Sequence, residues 1–409
     1  MLLQQTLGVT NPAVSEETDA QGPSEGRSGL SLRSTVDELL VVDHHCHGVL
    51  RRDVDRADFE SLLTEADRPG LLSPTVFESQ IGYALRRWCA PVLDLEPYSP
   101  PEEYLQRRAE LGHAEVTRRF LRATGTSTYL VDTGFVPEPI LEPSELAEVV
   151  GGESYEIVRL EQVAEQVVAG GVDANRFADE VRERLADRTS TAVGVKSIAA
   201  YRAGLDLPGE QPADSEVAVA AGRWLADVEA GSSPRCNDRL LHSFLVWTGI
   251  ELGKPVQFHV GLGDSDADLR RANPLLLTPL LRATQSRDVP IMLLHNYPFH
   301  RYAGYLAQVF SHVHVDLGLA THNLGRASGR VIGELLELAP FGKVLFSSDA
   351  FGLPELYHLG TLLFRRGLAG VLQEGVSDGS WTETDAERIA GMILAGNAIR
   401  AYGLDSACP

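Results

Sequence analysis

Apolar and polar positions along this chain predict short buried strands separated by amphipathic helices. Eight candidate strands lie at 41–47, 127–131, 155–160, 192–198, 255–260, 290–294, 312–317 and 343–346. Most of these runs are apolar rather than alternating, which is typical of parallel strands covered on their outer side. Helical spacing of apolar residues follows at 160–169, 175–185, 240–252, 275–285, 301–310, 331–338 and 385–402. Eight strands separated by helices are the pattern of an α/β protein with a (β/α)8 TIM barrel. A doubly wound open sheet is the alternative, but no glycine-rich dinucleotide-binding sequence follows an early strand.

The interval between the first two strands is far longer than a usual connection in such a barrel. Between 52 and 126 the pattern is mostly helical, and Leu105, Val116 and Phe120 recur at near-helical spacing. We therefore expect a helical insertion, acting as a cap, after strand one. Residues 1–34 are rich in small and polar side chains, a composition that favours a mobile tail. The folded barrel is accordingly predicted to occupy 35–409.

Composition and charge narrow the range of partners. Hydrophobic residues make up 44% and charged residues 23%, and the net charge is −21, so no basic surface for nucleic acid is expected. No run of about 18 apolar residues is present to span a membrane, and no signal-peptide pattern begins the chain. The four scattered cysteines form no CxxC pair and are consistent with a reducing cytoplasm. We expect a cytoplasmic protein that acts on a small molecule; assembly into a homo-oligomer is compatible with the sequence.

The first strand ends in a cluster of histidines, Asp43-His44-His45-Cys46-His47. Residues two apart on a strand point to the same side, so His45 and His47 project together while Cys46 points the other way and packs. Neutral imidazole is the commonest protein ligand for zinc-like ions. Taken alone, the two histidines could equally be polar strand-end residues, since His-x-His often occurs by chance.

Residues able to bind a metal also close three later strands. His259 ends the fifth strand, His295 ends the sixth, and Asp349 follows the eighth. In a parallel barrel all these strand ends converge on one rim, where barrel enzymes carry out their chemistry. A single histidine at a strand end is usually structural. Five metal-competent residues at the same end of four strands instead indicate a metal site.

These motifs together resemble the metal-dependent amidohydrolase superfamily, over about 36–402 of the chain. The segments that carry the resemblance are Asp43-x-His45-x-His47, Phe258-His259-Val260-Gly261, Leu294-His295-Asn296, Ser347-Ser348-Asp349 and Gly396-Asn397-Ala398. Within the superfamily the chain is most similar to the branch with uronate-isomerase-like and aromatic-acid-decarboxylase-like members. It looks closest to amidohydrolase domains that are linked to glutamine-synthetase-like domains.

The resemblance implies a ligand set and a mechanism. His45, His47 and His259 would be neutral ligands of a divalent ion, with Zn²⁺ the first choice and Mn²⁺ the second. The ion would lower the pKa of its water towards neutrality, so that the resulting hydroxide attacks a carbonyl carbon. Asp349 would be a fourth ligand or the base that takes the proton of the water and passes it to the leaving amine. The metal or His295 would stabilise the oxyanion.

Lys196, at the end of the fourth strand, bears on the number of ions. In binuclear members of the superfamily a carboxylated lysine at this place bridges two ions, and His259 and His295 would then bind the second. Lys196 could instead be a free ammonium that contacts an anionic substrate, or it could form an ordinary ion pair at the rim. A single ion is the prediction retained here.

Several other polar residues are weaker candidates for substrate binding. Arg202, just beyond the fourth strand, and Arg86 in the insertion could bind a substrate carboxylate. Asp132 and Glu161, which close the second and third strands, could accept a hydrogen bond from a substrate amine. Asp43 could orient a metal ligand from behind. All five could equally be paired or solvated structural residues.

The predicted function is hydrolysis of a C–N bond in a small molecule, such as a γ-glutamyl-type amide. That substrate follows only from the resemblance to the glutamine-synthetase-linked domains. One alternative is a non-oxidative decarboxylase of a small carboxylic acid on the same metal site. The absence of an aromatic-lined motif near the histidines counts against it. Another alternative is a catalytically silent barrel that binds a partner, which the intact set of chemical residues disfavours.

Overall fold

Seven parallel strands form a curled sheet in the computed structural model, which describes residues 31–68, 70 and 75–404. The strands are β1 (Val41–Cys46), β2 (Thr126–Asp132), β3 (Glu153–Arg159), β4 (Gly194–Ser197), β5 (Val256–Val260), β6 (Ile291–His295) and β7 (Val313–Val315). Their order in the sheet is their order in the chain, and every neighbouring pair is parallel. This is the α/β barrel topology that the hydrophobic pattern predicted.

The segment 344–350 closes the ring between β7 and β1. Leu345 donates its backbone N–H to the carbonyl of Val315 in β7 at 2.9 Å. On the other side, His44 of β1 donates its N–H to the carbonyl of Phe346 at 3.1 Å. The predicted eighth strand at 343–346 is therefore present as a hydrogen-bonded segment without regular strand geometry. A 3₁₀ turn immediately precedes it, and Asp349 near its end has a φ of 51°, which interrupts extended backbone.

Helices fill the connections between strands. The first nine are α1 (Leu32–Glu38), α2 (Arg56–Ser61), α3 (Gln80–Trp88), α4 (Pro101–Thr124), α5 (Pro143–Val150), α6 (Leu160–Ala169), α7 (Phe177–Arg188), α8 (Ala199–Arg202) and α9 (Asp214–Glu229). The others are α10 (Arg239–Glu251), α11 (Thr278–Thr284), α12 (His300–Val309), α13 (Gly318–Leu324), α14 (Ser328–Leu336), α15 (Pro354–Ser377), α16 (Glu383–Gly391) and α17 (Asn397–Tyr402). A π-helical turn, Met392–Gly396, joins the last two. Short 3₁₀ turns lie at Val76–Glu78, Ala90–Leu93, Pro274–Leu277, Gln285–Arg287, Gly325–Ala327 and Phe341–Lys343.

The long interval between β1 and β2 is helical, with α2, α3 and α4 as its regular elements. Aromatic side chains such as Phe59 and Phe77 pack there in one buried cluster with residues of α15. A buried ion pair fastens this insertion to the barrel, since Arg108 of α4 donates from Nε to Glu355 of α15 at 2.8 Å. The hydroxyl of Tyr104 donates to the same carboxylate oxygen at 3.1 Å. These two contacts attach α4 of the insertion to α15 of the barrel.

The predicted start of the folded unit at residue 35 falls inside α1, so that boundary is too late. The hydroxyl of Ser31 accepts a hydrogen bond from the N–H of Ser34 at 3.3 Å, which caps the first turn. Leu32 and Val36 on the same helix are buried. The mobile tail predicted for the residues before 31 lies outside the described residues.

Two expectations about the chain as a whole concern cysteine and membranes. Cys46, Cys89 and Cys236 are buried free thiols, and the fourth cysteine lies outside the described residues. Among the helices that the structure describes, each is too short or too polar to traverse a lipid bilayer.

Candidate active site

The carboxyl ends of the strands open into a pocket of about 500 Å³. Five residues singled out from the sequence line its wall: His47, Lys196, Arg202, His259 and Asp349. The segment 61–65 of the insertion lines the same pocket, so the cap contributes directly to it. A cavity of this size accommodates a small molecule.

Asp349 lies at the centre of the predicted metal residues. Its Oδ1 is 2.9 Å from Nε2 of His45 and 3.5 Å from Nε2 of His47. Its Oδ2 is 3.4 Å from Nδ1 of His295. The possible ligand atoms of His45, His295 and Asp349 all lie within 4.8 Å of one another. Residues more than 300 positions apart in the chain therefore meet around one point, as the convergence of strand ends predicts.

His259 lies beside this centre rather than in it. Its ring centroid is 4.6 Å from that of His295 and 4.2 Å from that of Tyr201. It belongs to neither group of residues whose ligand atoms are mutually within 4.8 Å. Its Nε2 is nevertheless buried and has no hydrogen-bond partner among the described residues. The geometry thus places His295 closer than His259 to Asp349, although the resemblance assigned the ligand role to His259.

Lys196 occupies the other side of His45. Its Nζ lies 2.7 Å from Nε2 of His45 and 3.6 Å from a carboxylate oxygen of Asp132. Asp132 in turn accepts a hydrogen bond from Nη2 of Arg159 at 2.6 Å. Asp132 also forms a second group with His45 and His47 whose ligand atoms lie within 4.8 Å of one another. Lys196 is therefore a buried amine between an imidazole and a carboxylate.

The electrostatics keep the imidazoles neutral and the central carboxylate ionised. Burial and the charge of Lys196 lower the pKa of His45 to about 4 and that of His259 to about 3. Burial also lowers the pKa of His295 well below its ordinary value. Burial of Asp349 acts to raise its pKa, but the neighbouring His295 and His45 outweigh this and hold it well below its ordinary value. Neutral imidazoles beside an ionised carboxylate are the protonation states that metal ligands require.

The backbone at this rim is in the left-handed region at three non-glycine residues. The φ angles are 68° at His295, 58° at Asn296 and 51° at Asp349. Such conformations cost energy for residues with a Cβ, and they concentrate at functional sites where the surrounding structure enforces them. Two of the three residues carry the side chains that meet at the centre.

Asp316, which follows β7 directly, holds this backbone in place. Its Oδ1 accepts hydrogen bonds from the N–H of His295 at 2.6 Å and of Gly318 at 3.1 Å. Its Oδ2 accepts from the hydroxyl of Ser347 at 2.8 Å and lies 2.7 Å from Nε2 of His44. Asp316 was not predicted from the sequence, although it occupies the same strand-end position as the residues that were.

The two arginine candidates for substrate binding, Arg202 and Arg86, lie in different places relative to the pocket. Arg202 lies on the pocket wall, as expected of a substrate-binding residue. Arg86 does not line the pocket, and its predicted role is wrong. Its guanidinium donates from Nη2 to the carbonyl of Tyr98 at 2.8 Å and from Nε to that of Ser99 at 3.2 Å. It therefore serves to hold a loop within the insertion.

Glu161 is also not on the pocket wall, and its predicted contact with substrate is wrong. Its Oε1 accepts hydrogen bonds from the hydroxyl of Ser197 at 2.7 Å and lies 3.1 Å from Nδ1 of His242. This fully buried contact joins α6, β4 and α10.

Asp43 accepts hydrogen bonds from both the N–H and the hydroxyl of Ser348, at 2.9 and 2.5 Å. It thereby anchors the closing segment that carries Asp349.

Aromatic rings stand beside the histidines, contrary to the expectation from the sequence. The rings of Phe135 and Phe351 lie 4.9 Å apart, centroid to centroid, and both line the pocket. The ring of Phe135 lies 5.9 Å from that of His47. Tyr201 is a third ring on the wall. No local motif marks these residues, because they reach the site from the connections that follow different strands.

The donor set fits a divalent cation. Buried imidazole nitrogens without a hydrogen-bond partner are uncommon, because leaving them unsatisfied costs free energy. Here both nitrogens of His295, Nδ1 of His45 and Nε2 of His259 are in that state among the described residues. Imidazole nitrogens combined with a carboxylate oxygen are a ligand set that Zn²⁺ and Mn²⁺ accept. His45, His47, His295 and Asp349 would hold the ion, with His259 at its side.

Comparison with known proteins identifies the family of the chain. A family model described as amidohydrolase matches residues 231–404. A crystal structure from Lactobacillus casei, provisionally assigned as a metal-dependent hydrolase, is 30% identical with a TM-score of 0.78. The match covers 91% of this chain and 97% of that one. The chain belongs to the amidohydrolase superfamily.

Two further relatives of this amidohydrolase extend the comparison. Protein fluG of Emericella nidulans is 28% identical over 93% of this chain and 47% of its own length. The chain thus spans about half the length of that curated relative. The uronate isomerase of Bacillus halodurans has a TM-score of 0.61 at 15% identity, covering 91% of this chain and 95% of that one. At that identity it shares the fold.

Proposed function

We propose that this amidohydrolase is a metal-dependent hydrolase that cleaves an amide C–N bond in a small anionic molecule, with a γ-glutamyl-type amide as the favoured substrate. The observation that carries the proposal is the position of Asp349, whose two oxygens lie between three buried histidines at the edge of an open pocket. A carboxylate in this place can take a proton from water and deliver it to a leaving group. The provisional assignment of the L. casei relative as a hydrolase supports the same reaction class.

A bound divalent ion would supply Lewis acidity, which acidifies water and polarises a carbonyl. The residues of the chain would transfer the protons and position the reacting groups. Asp349 would accept the proton of the attacking water and return it to the departing amine. His295, whose Nδ1 lies 3.4 Å from Oδ2 of Asp349, would hold that carboxylate in position. Phe135 and Phe351, whose rings line the pocket beside His47, would limit the access of bulk water to these groups.

We infer one ion rather than two, with zinc as the first choice and manganese as the second. Nζ of Lys196 lies 2.7 Å from Nε2 of His45, and this contact already gives Lys196 a role at the rim. Carboxylation of Lys196 would convert it into a bridging ligand beside Asp132 and would support a second ion. Intact-mass measurement of the native protein separates the two states, since a carboxylated lysine adds the mass of carbon dioxide.

The proposal is tested by measuring bound metal and then turnover of a panel of γ-glutamyl amides, by release of free amine. Asp349→Asn is expected to lower kcat by about 10²–10⁴-fold, the usual contribution of general acid–base catalysis. Asp288→Asn is the matched control, because Asp288 is exposed and has a comparable φ of 53°. Full activity of Asp349→Asn would refute the proton-transfer role. Protein without stoichiometric metal and without turnover would favour a silent barrel.

A decarboxylase acting on a small aromatic acid is a second candidate, and the aromatic pair favours it. Phe135 and Phe351 could pack against a planar ring next to His47. Asp349 would then deliver its proton to carbon rather than to nitrogen. Incubation with aromatic carboxylic acids, followed by measurement of carbon dioxide, distinguishes this reaction from the release of amine.

A further inference from the structure

Within the part of the chain that the structure describes, Arg202 is a cationic group of the pocket without a hydrogen-bond acceptor for two of its nitrogens. Its Nε and Nη1 are buried and have no hydrogen-bond acceptor among the described residues. The other two arginines on the wall are neutralised, Arg159 by Asp132 at 2.6 Å and Arg235 by Asp266 at 2.6 Å. A buried guanidinium without an acceptor is costly, because it has lost its water without replacement. A carboxylate of the bound molecule would supply the acceptor.

Glu65 is the corresponding anion. It follows α2 in the insertion, lines the same pocket and forms neither a hydrogen bond nor an ion pair with any described residue. Burial, together with the charges of Asp349 and Asp264, raises the pKa of its carboxyl group to about 7. A cation in the pocket would favour the ionised form. Nothing in the local sequence marked Glu65, which reaches the site only because the insertion folds over the rim.

Arg202 and Glu65 line the same pocket. Arg202 directly follows Tyr201, and the pKa of the Tyr201 hydroxyl is raised chiefly by burial and then by the charge of Glu65. Tyr201 itself is wedged against the backbone of Gly263, where an added Cβ would lie 2.2 Å from the hydroxyl oxygen. A positive and a negative group on one wall, unpaired with each other, are complementary to a molecule that carries both charges close together.

We propose that the pocket selects a zwitterionic α-amino acid head group, whose carboxylate binds Arg202 and whose ammonium binds Glu65. The inference rests on the proposed function, and it adds which residues bind the two charges of the head group. The scissile amide then lies on the side chain of that amino acid and extends from the head group towards Asp349. The pocket volume of about 500 Å³ leaves room for such a side chain and for a small leaving amine.

Three related substrates test the two contacts separately: γ-glutamyl methylamide, glutaryl methylamide without the ammonium, and 4-aminobutyryl methylamide without the carboxylate. Wild-type protein should prefer the complete substrate over each truncated one by roughly 10- to 100-fold in kcat/KM, the usual range for a charge-assisted hydrogen bond. Arg202→Gln should abolish the preference over 4-aminobutyryl methylamide and retain the preference over glutaryl methylamide. Glu65→Gln should do the reverse.

Arg235→Gln is the matched control, since its guanidinium lines the same pocket but is held by Asp266. It should keep both preferences. Equal kcat/KM values for the three substrates in the wild type would overturn the proposal. So would a uniform loss in Arg202→Gln that leaves the ratios unchanged.

Binding keeps the head-group inference separate from the proposed function. Calorimetric titration of the metal-loaded protein with L-glutamate, glutarate and 4-aminobutyrate requires no turnover. Tighter binding of L-glutamate, weakened about 10-fold or more by either Arg202→Gln or Glu65→Gln, would support the head-group site even if no amide were hydrolysed. Equal or undetectable binding of all three would refute it, whatever the outcome of the amide assays.

Discussion

A single methyl group added at Gly318 should disturb the candidate site more than its size suggests. Gly318 begins α13, and a Cβ there would lie 2.5 Å from Oγ of Ser347, 3.0 Å from Nδ1 of His295 and 3.3 Å from Cβ of Asp349. All these neighbours are largely buried and two of them are central to the site. The substitution Gly318→Ala therefore tests whether the glycine is required by the close approach of His295 and Asp349.

The expected cost follows from two opposing effects. Overpacking of a tight site costs about 1–3 kcal/mol. The better helix propensity of alanine returns about 1 kcal/mol at most. The free energy of unfolding should therefore fall by roughly 1–2 kcal/mol. A displacement of His295 or Asp349 by about 1 Å should also lower kcat/KM about 100-fold.

Denaturation with urea in excess chelator measures the stability change without a contribution from bound metal. Bound-metal analysis and amide turnover then measure the effect on the site. Gly370→Ala is the control, because Gly370 lies on the exposed face of α15 and an added Cβ there meets no heavy atom within 4 Å. It should leave the site intact. Wild-type stability, metal content and kinetics for Gly318→Ala would show that the crowding around His295 is not as described.

Three further predictions concern the metal, the insertion and the acid stability. Removal of metal by a chelator should lower the melting temperature, because free ion at about 100 times its Kd adds about 2.7 kcal/mol to the free energy of unfolding. An unchanged melting curve after verified metal loss would contradict a resident ion. Arg108→Met should lower the free energy of unfolding in urea by about 3–5 kcal/mol, because it leaves the buried carboxylate of Glu355 without its partner. The double variant with Glu355→Leu should lose less stability, and equal losses in the two variants would argue against the buried pair. Burial acts to raise the pKa of Glu161, but the hydrogen bond and charge of His242 outweigh it and lower that pKa. Its folded pKa then lies below the unfolded value of about 4.3, so the stability it contributes is present above that pH and lost as the pH falls. Between about pH 5 and 3 wild type should lose stability more steeply than Glu161→Gln, and parallel curves would count against this pairing.

The strands and their reactive ends were predictable because both signals are local. Each buried strand leaves a continuous apolar run, and His259 and His295 stand where those runs stop. The irregular closing segment was harder to predict. Val344 to Phe346 has the composition of a strand, but the left-handed conformation at Asp349 depends on contacts made across the ring.

Two long helices escaped prediction for different reasons. The helix α15 buries residues around much of its circumference, because both the insertion and the barrel pack on it. A helix buried on most sides has no clear amphipathic period. In α9, small alanines form much of the buried face, and their weak hydrophobicity hides the period.

The site could be predicted as a set of strand-end residues but not as a geometry. Spacing along the chain cannot distinguish whether His259 or His295 lies nearer to Asp349, because that depends on the stagger between β5 and β6. Glu65 and Tyr201 reach the pocket from connections outside the strands, whose paths depend on packing far away in sequence. Arg86 and Glu161 were misassigned for the same reason, since a charged residue near a strand or in a cap can equally serve to join two elements.

The closing segment of the barrel has a consequence for how the protein would fail on heating. Segment 344–350 is joined to β7 by one isolated bridge, between Val315 and Val344, and to its neighbours by single backbone hydrogen bonds, whereas β2 and β3 pair along five consecutive positions. A segment without a continuous backbone ladder is expected to separate before a fully paired strand when the protein is warmed. Since Asp349 lies in this closing segment, its carboxylate would move away from the histidines when the segment separates from β1 and β7. Heat inactivation should then precede the loss of helical circular dichroism, and the amide of Asp349, bonded to His45, should exchange with deuterium earlier than those of β2.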